Sequence, residues 1–355
     1  MSRADFAGTM PVSDRQRFDE ASLGRWLQVH LPGFAGLERI EQFRGGQSNP
    51  TFLLTAVDGS RYVLRKKPAG VLLPSAHAVD REFRVISALH GSLVPVARPL
   101  CLCTDASVIG TMFYLMEYAV GRNFWDATLP ATTPTERAAL YDEMNRVMVA
   151  LHTLDYAAAG LGDYGKPGNY FARQIGRWSG QYRASETERI EAMEKLLTWL
   201  PANIPPGEET ALVHGDYRLD NLIFNPSSPR MLAVVDWELS TLGHPLADFS
   251  YHVMLWRLPA QNGGLRGLDL PPLGIPSEAD YIAAYCARTG RSAIEPREWE
   301  FCMAYNLFRI ACIRQGIMKR VLEGTAASRH AREAGAMARP TAEFAWRQVE
   351  EHLGG

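Results

Sequence analysis

Val213-His214-Gly215-Asp216-Tyr217-Arg218-Leu219-Asp220-Asn221 is the stretch on which the reading of this chain turns. The apolar residues Ala211 to Val213 read as a strand. The strand runs into a loop that carries Asp216, and Asn221 follows five positions later. A second apolar strand, Leu232-Ala233-Val234-Val235, delivers Asp236 at its C-terminal end, with Trp237 and Glu238 next. Taken singly, each motif has a plain reading. His-Gly-Asp can be a simple turn, and an Asp at a strand end can cap a helix. Taken together, in this order and separated by a strand-turn-strand segment, they describe a chemistry.

Asp followed by Asn at this spacing, then an Asp at the end of the next strand, is the pattern of a kinase catalytic loop with its metal-binding partner. An attacking hydroxyl must lose a proton as it bonds to phosphorus, and a carboxylate beside it can orient it and take that proton. Triphosphate oxygens bridged by Mg²⁺ call for hard oxygen ligands, which the amide of Asn221 and the carboxylate of Asp236 can supply. ATP and Mg²⁺ are the cofactors this implies.

Working outward, the chain divides by pattern. Arg39 to Arg44, Thr51 to Val57 and Arg61 to Lys66 read as strands, with Asp58-Gly59 as a hairpin signal. A helix follows, with Ser75 as a candidate cap, an apolar face of Val79, Phe83, Ile86 and His90, and Gly91 as its stop. Two more strands are expected at Ala97 to Cys103 and Thr111 to Tyr118. Beyond Gly121 the pattern turns helical. Thr133-Pro134-Thr135-Glu136 is a capping box, and Leu140, Met144, Val147, Met148 and Leu151 line one face behind it. Further helices are expected near Arg173 to Tyr182, Glu186 to Leu200, Glu278 to Thr289, Arg297 to Leu322 and Thr341 to His352. Ala211 to Val213 and Met231 to Val235 read as one strand pair among them. The expected fold is α+β and bilobal. A small β-rich nucleotide-binding lobe with one main helix covers residues 1–120, and a larger, mainly helical catalytic and acceptor lobe covers 121–355.

These residues resemble the aminoglycoside phosphotransferase (APH) and choline-kinase-like family, which has a protein-kinase-like fold. The resemblance runs from about Leu37 to at least Tyr251 and rests on His214-Gly215-Asp216 with Asn221, and on Asp236-Trp237-Glu238. It implies that Asp216 is the base, that Asn221 and Asp236 are metal ligands, and that His214 is structural support. Asp248, in Gly243-His244-Pro245-Leu246-Ala247-Asp248, matches a family Asp that braces the catalytic loop; a helix N-cap is the plainer and compatible role.

The N-terminal half is then expected to hold ATP. Gly45 and Gly46, with Ser48 close by, would let backbone N–H groups approach phosphate. Aligned on the kinase V-A-I-K strand, Tyr62-Val63-Leu64-Arg65 puts Arg65 where a kinase has its phosphate-pairing Lys. Val63 shares its face and could touch adenine. Glu82 is the natural partner for Arg65. Arg65 as a mere surface residue, with Lys67 on the phosphates, is the alternative. Met116-Glu117-Tyr118-Ala119 would form the hinge, whose backbone could read the adenine edge without distinguishing ATP from GTP.

Within the family, the sequence is most similar to kinase domains fused to acyl-CoA dehydrogenases and their free-standing bacterial relatives. That rests on Leu72-Leu73-Pro74-Ser75-Ala76-His77 with Arg81-Glu82, and on Gly162-Asp163-Tyr164-Gly165 through Asn169-Tyr170-Phe171-Ala172-Arg173-Gln174 to Trp178. It implies a hydroxyacyl-CoA acceptor. Lys166, Arg173, Arg177 and Arg183 would suit polyanionic CoA, and Tyr170, Trp178, Tyr182 and Trp237, with Glu238 beside it, would line an acyl site. The competing account makes the aromatics ordinary core and the arginines a solvated helix face.

Bulk properties are those of a globular protein: 355 residues, 46% hydrophobic, 21% charged, formal net charge -2. Such a balance offers nothing to nucleic acid. No apolar run approaches a membrane span, and the first residues lack the apolar core of a signal peptide. Five cysteines, an odd number, fit reduced thiols in the cytoplasm, with Cys101 and Cys103 as strand residues rather than ligands. The readings that compete with a kinase of a hydroxyacyl-CoA are an aminoglycoside or other small-alcohol kinase and a catalytically inactive nucleotide-binding module. A protein kinase fits less well, since the chain has no H-R-D, D-F-G or A-P-E triplet.

Overall fold

The computed structural model describes residues 8–44, 49–68, 78–326 and 330–354. Gly45, Gly46 and Ser48 lie outside the described residues, as do the candidate cap Ser75 and the rest of Leu72 to His77. The chain forms two compact units, one of residues 1–150, 155–164 and 218–240, the other of 151–154, 165–217 and 241–355.

The first unit is built on an antiparallel sheet. Its strands are β1 (Thr9–Met10), β2 (Leu37–Phe43), β3 (Thr51–Ala56), β4 (Arg61–Lys66), β5 (Pro99–Cys103) and β6 (Phe113–Glu117), in the order β1-β2-β3-β4-β6-β5. Gly59 makes the β3–β4 turn at φ 82°, a conformation that costs glycine least. Helix α1 (Glu20–His30) is capped by Asp19 and packs Leu23 and Leu27 against Phe52, Leu54, Leu64, Phe113 and Leu115 on one sheet face. Helix α2 (Val79–Leu89) follows β4. Its buried stripe is Val79, Glu82, Val85, Ile86 and Leu89, turned from the expected one. His90 is the C-cap, and Phe83 is only half-buried. A reading of apolar residues passes over a buried Glu, which here has its own ion partner.

A short strand β7 (Arg122–Asn123) and helix α3 (Pro134–His152) come next. Half of the expected capping box forms: Thr133 Oγ1 accepts the Glu136 N–H at 3.2 Å, while the Glu136 carboxylate pairs with Arg122 at 2.6 Å. β7 adjoins β9 (Leu222–Phe224), which pairs with β10 (Met231–Val234).

The second unit is helical: α4 (Tyr170–Ser185), α5 (Glu191–Ala202), α6 (Pro245–Val253), α7 (Leu270–Leu273), α8 (Glu278–Thr289), α9 (Pro296–Leu322), α10 (Ala331–Ala336) and α11 (Ala338–Leu353). The long α9 is its spine, contacted by α4, α5, α6, α10 and α11. A two-stranded sheet joins β8 (Ala211–Val213) to β11 (Thr241–Gly243). The expected pairing of 211–213 with 231–235 is therefore corrected: β8 bonds to β11, and β10 bonds to β9. Short strands give periodicity little to work on: β9 was expected only as the unbounded first strand of the strand-turn-strand segment, and β11 went unread. Helix α6 is buried on nearly all sides, so it too shows no polar-apolar alternation. Among the described residues, no helix is long and apolar enough to cross a membrane, and the five cysteines are free.

Candidate active site

Each unit carries one cluster of chemistry-bearing side chains. In the first, β4 alternation puts Val63 and Arg65 on one face. Val63 is buried between its cross-strand partners Leu53 and Met116. Arg65 is only 6% exposed, and a guanidinium so placed must find anions. It meets three: Nε lies 2.8 Å from Glu82 Oε2, Nη2 donates to Asp236 Oδ1 at 2.6 Å, and Glu238 Oε2 stands 3.8 Å away. Burial pushes the guanidinium pKa down, but Glu82 and Asp236 push it up further, and Arg65 stays charged. Lys67, the alternative, is a loop residue just past β4 whose backbone N–H donates to Met112 at 3.0 Å.

Glu82 is held by two neutral donors besides. Asn49 Nδ2 donates to Oε1 at 2.5 Å, and the Tyr114 hydroxyl to Oε2 at 3.2 Å. Asn49 also reaches Glu238 Oε2 at 3.4 Å.

Asp236 sits just past β10 in the left-handed region, φ 69° and ψ 60°. A side chain there is strained, Asp and Asn bearing it best, and it persists where the surroundings hold it. The Val235 N–H donates to Asn221 O at 2.9 Å, and the Trp237 indole N–H to Val234 O at 2.9 Å. Although Asp236 precedes the 3₁₀ turn Trp237–Leu239, its side chain makes no capping bond; the carboxylate goes to Arg65. Asn221 ends the turn Leu219–Asn221, where Asn123 Nδ2 donates to the carbonyls of Asp220 (2.6 Å) and Leu222 (3.3 Å). The same turn system thus fixes Asn221 and Asp236. The carboxylates of Asp236 and Glu238 keep 27% and 20% of their side-chain surface. An amide oxygen with carboxylate oxygens is a hard donor set that suits Mg²⁺ completed by water and phosphate.

In the second unit, β8 leads into His214-Gly215-Asp216, with Gly215 at φ 81°. Asp248, in the body of α6 rather than at its cap, accepts the amides of this loop. Oδ2 takes the His214 N–H at 2.7 Å, and Oδ1 takes the Gly215 N–H at 2.8 Å. His152 Nε2 lies 3.3 Å from Oδ2. Burial acts to raise the Asp248 carboxyl, but His152 and the loop amides outweigh it and hold it below the ordinary carboxylate range. His214 Nδ1 accepts the Asp216 N–H at 3.1 Å. The Tyr251 hydroxyl donates to Asp216 Oδ1 at 2.7 Å, and Arg309 Nη2 donates to Gly215 O at 2.6 Å.

Other expected residues take different places. The Glu117 N–H donates to Arg98 O at 2.9 Å and the Tyr118 N–H to Arg61 O at 3.4 Å, so two of the expected hinge donors already serve the sheet. Ala119 follows just past β6. Arg173 turns its guanidinium onto the carbonyls of Gly168 and Lys166, fastening its own loop. Trp178, Tyr182 and Trp237 are buried, which favours the plain reading of those aromatics as core. Tyr170 packs edge-on to Phe171, and an added Cβ at Gly243 would strike its ring.

Sequence reasoning missed Asn49, Tyr114, His152, Tyr251 and Arg309. Signals existed for two. Tyr251 follows Asp248 by three on α6, and Arg309 is a lone charge in the apolar run Leu307-Phe308-Arg309-Ile310-Ala311.

The family model described as APH, phosphotransferase enzyme family, matches residues 39–301. Mouse acyl-CoA dehydrogenase family member 10 is 46% identical over 342 residues, which cover 95% of this chain and 32% of that protein. The chain spans less than half the length of the curated relatives it matches. A crystal structure from Ralstonia eutropha, of a candidate aminoglycoside phosphotransferase, is 55% identical with a TM-score of 0.86, covering 94% of this chain and 99% of its own. Aminoglycoside phosphotransferase APH(4)-Ia, in complex with ADP and hygromycin B, is 16% identical with a TM-score of 0.60, over 92% and 98% of the two chains, a likeness of fold. The kinase-like fold and the resemblance read from the motifs are borne out, and the chain belongs to the APH phosphotransferase enzyme family.

Proposed function

We propose that this chain is an ATP- and Mg²⁺-dependent kinase that phosphorylates the acyl hydroxyl of a hydroxyacyl-CoA. The observation that carries the kinase reading is the ion cluster of Arg65. One buried cation faces Glu82 on one side and the partly exposed Asp236 on the other. A purely structural arginine has no need of a second carboxylate held at a strained φ.

In this reading the first unit handles the nucleotide. Asp236 and Asn221 hold Mg²⁺, Glu82 keeps Arg65 oriented, and the guanidinium offers paired N–H groups to a phosphate. Bound Mg²⁺ supplies positive charge against the phosphate oxygens. The second unit supplies the base. Asp216 orients the acceptor hydroxyl and takes its proton while the acceptor oxygen bonds to the γ-phosphorus. The bond from that phosphorus to the β–γ bridging oxygen breaks, and the nucleoside diphosphate leaves.

The acceptor reading draws support from the acyl-CoA dehydrogenase relatives. A second reading, an aminoglycoside acceptor, is favoured by the description of the Ralstonia protein. The acidic residues that would serve a polycation speak against it. Arg183 binds Glu194 and Glu186, Arg339 binds Glu188, and Arg189 lies 3.7 Å from Glu191. The test is a coupled assay of nucleoside diphosphate release with ATP or GTP, with and without Mg²⁺, across hydroxyacyl-CoAs, choline and kanamycin. Transfer to none of these hydroxyls would leave the inactive nucleotide-binding module standing.

A further inference from the structure

Within the second unit, the loop carrying Asp216 is gripped at three kinds of atom. Asp248 takes two of its amides, Arg309 takes a carbonyl, and Tyr251 takes the carboxylate itself. Two helices deliver these grips. Asp248 and Tyr251 are three residues apart on α6 and so share a face. Asn306 and Arg309 are three apart on α9. Asn306 Nδ2 donates to Ala247 O at 2.9 Å and to Ser250 Oγ at 2.8 Å, which ties α9 to α6 at that level. Arg309 then reaches Gly215 O at 2.6 Å, with its guanidinium 5.0 Å from the Tyr251 ring centroid and 5.6 Å from that of Trp178.

Arg309 is only 7% exposed. Among the described residues it forms no close salt bridge; its hydrogen-bond acceptor is a loop carbonyl, aromatic faces flank it, and the Asp216 carboxylate acts on it from beyond salt-bridge distance. Burying a guanidinium without a salt bridge is costly, and a core has cheaper ways to close a helix contact. Tyr251 is half-buried, and its hydroxyl reaches Asp216 Oδ1 at 2.7 Å. Tying one oxygen of a carboxylate sets its plane, and with it the direction in which the other oxygen points.

We propose that Tyr251 and Arg309 are positioning residues for phosphoryl transfer, Tyr251 fixing the plane of the Asp216 carboxylate and Arg309 fixing the loop beneath it. The inference rests on Asp216 being the base. Tyr251→Phe is the cleaner probe, because it removes one oxygen and keeps the ring under Arg309. A hydrogen bond to a charged group is worth enough that its loss is expected to lower kcat roughly 10- to 100-fold. The KM for Mg·ATP should stay within about twofold, since that affinity is assigned to the first unit. Arg309→Lys should recover part of the kcat lost in Arg309→Met, because the ammonium still donates to a carbonyl but lacks the fork.

The discriminating measurement is a double-mutant cycle with the best of the hydroxyacyl-CoA acceptors. In an Asp216→Ala background, Tyr251→Phe should add no further loss, because it acts through the missing carboxylate. An equal loss in both backgrounds, or wild-type kcat in Tyr251→Phe while Asp216→Ala is inactive, overturns the positioning role and leaves the kinase reading intact. A wild-type protein that transfers phosphate to no hydroxyl takes both down.

Discussion

Arg65 and Asp236 are each other's partners, Nη2 to Oδ1 at 2.6 Å, although they lie 171 residues apart in sequence. Under the proposed function the cation for phosphate and the carboxylate for metal are thus one ion pair, which nucleotide binding would redistribute. Arg65→Ala leaves Glu82 buried without its cation. Breaking a buried pair from one side costs about 3–5 kcal/mol, so chemical denaturation should show a loss of that order. Arg65→Lys should keep most of the stability and still lose activity with a raised KM for ATP, because an ammonium cannot reach both carboxylates as the forked guanidinium does. Full activity in Arg65→Lys would remove Arg65 from phosphate binding.

Asp236→Asn removes the proposed anionic metal ligand and one partner of Arg65 together. We expect a folded protein whose turnover collapses and whose residual rate rises as Mg²⁺ is raised well past the wild-type requirement. Asn221→Ala should move the Mg²⁺ dependence the same way. Unchanged turnover of Asp236→Asn at limiting Mg²⁺ would show that the metal sits elsewhere.

Asp216→Ala should lose kcat by ~10²–10⁴, the usual cost of removing a positioned general base. Nucleotide affinity, followed by calorimetry, should hold, because the first unit carries the nucleotide residues. Parallel loss of ATP binding would mark Asp216 as structural.

Stability should fall on mild acidification. His252 is buried, with Nε2 2.9 Å from the Tyr281 hydroxyl, and burial depresses its pKa to about 4; His244, also buried, is likewise held at about 4. Both stay neutral in the folded chain over a range where the unfolded chain protonates at about 6.5. Their contribution is therefore complete above pH ~6.5 and is lost as pH falls towards ~4. Urea midpoints should drop steeply across that window and less steeply in His252→Gln. A midpoint independent of pH from 7.5 to 4.5 would contradict the burial of neutral imidazoles.

Much of this was legible because the chemistry is local in sequence. His214-Gly215-Asp216, Asn221 and Asp236 stand out as candidates by spacing, and the alternation of β4 put Arg65 on a face where Glu82 meets it. What stayed hidden were partners chosen by tertiary packing. Asn49 follows the glycine segment with no pattern to mark it, yet it bridges Glu82 and Glu238. Arg309 is a single charge within an apolar stretch of α9, and α6 carries no amphipathic signature because it is buried on nearly all sides. Trp178, Tyr182 and Trp237 went the other way. They were offered as a ligand surface or as core, and their burial favours core. Composition cannot separate these cases; only the packing does.

The acceptor is the sharpest remaining question, and the packing narrows how to ask it. Arg173 was the expected CoA contact, yet its guanidinium fastens the carbonyls of Lys166 and Gly168. Arg173→Ala would then disturb the loop whether or not CoA binds, and is a poor probe. Lys166 and Arg177 stay exposed in the same segment, free of that duty. A polyanionic carrier should feel their charge, and an aminoglycoside should be repelled by it. Lys166→Glu with Arg177→Glu should therefore raise KM for a hydroxyacyl-CoA by roughly 10-fold, on the order of 1.4 kcal/mol, with kcat little changed. The effect should shrink as salt is raised, since exposed charges are screened within about 8–10 Å at 0.1–0.15 M. Steady-state comparison of hydroxyacyl-CoAs, the matching free hydroxy acids and kanamycin separates the readings. Efficient transfer to kanamycin with none to any CoA ester would sink the proposal. CoA-ester activity that is lost in the charge-reversed variant and regained with added salt would rule in favour of a screened carrier contact.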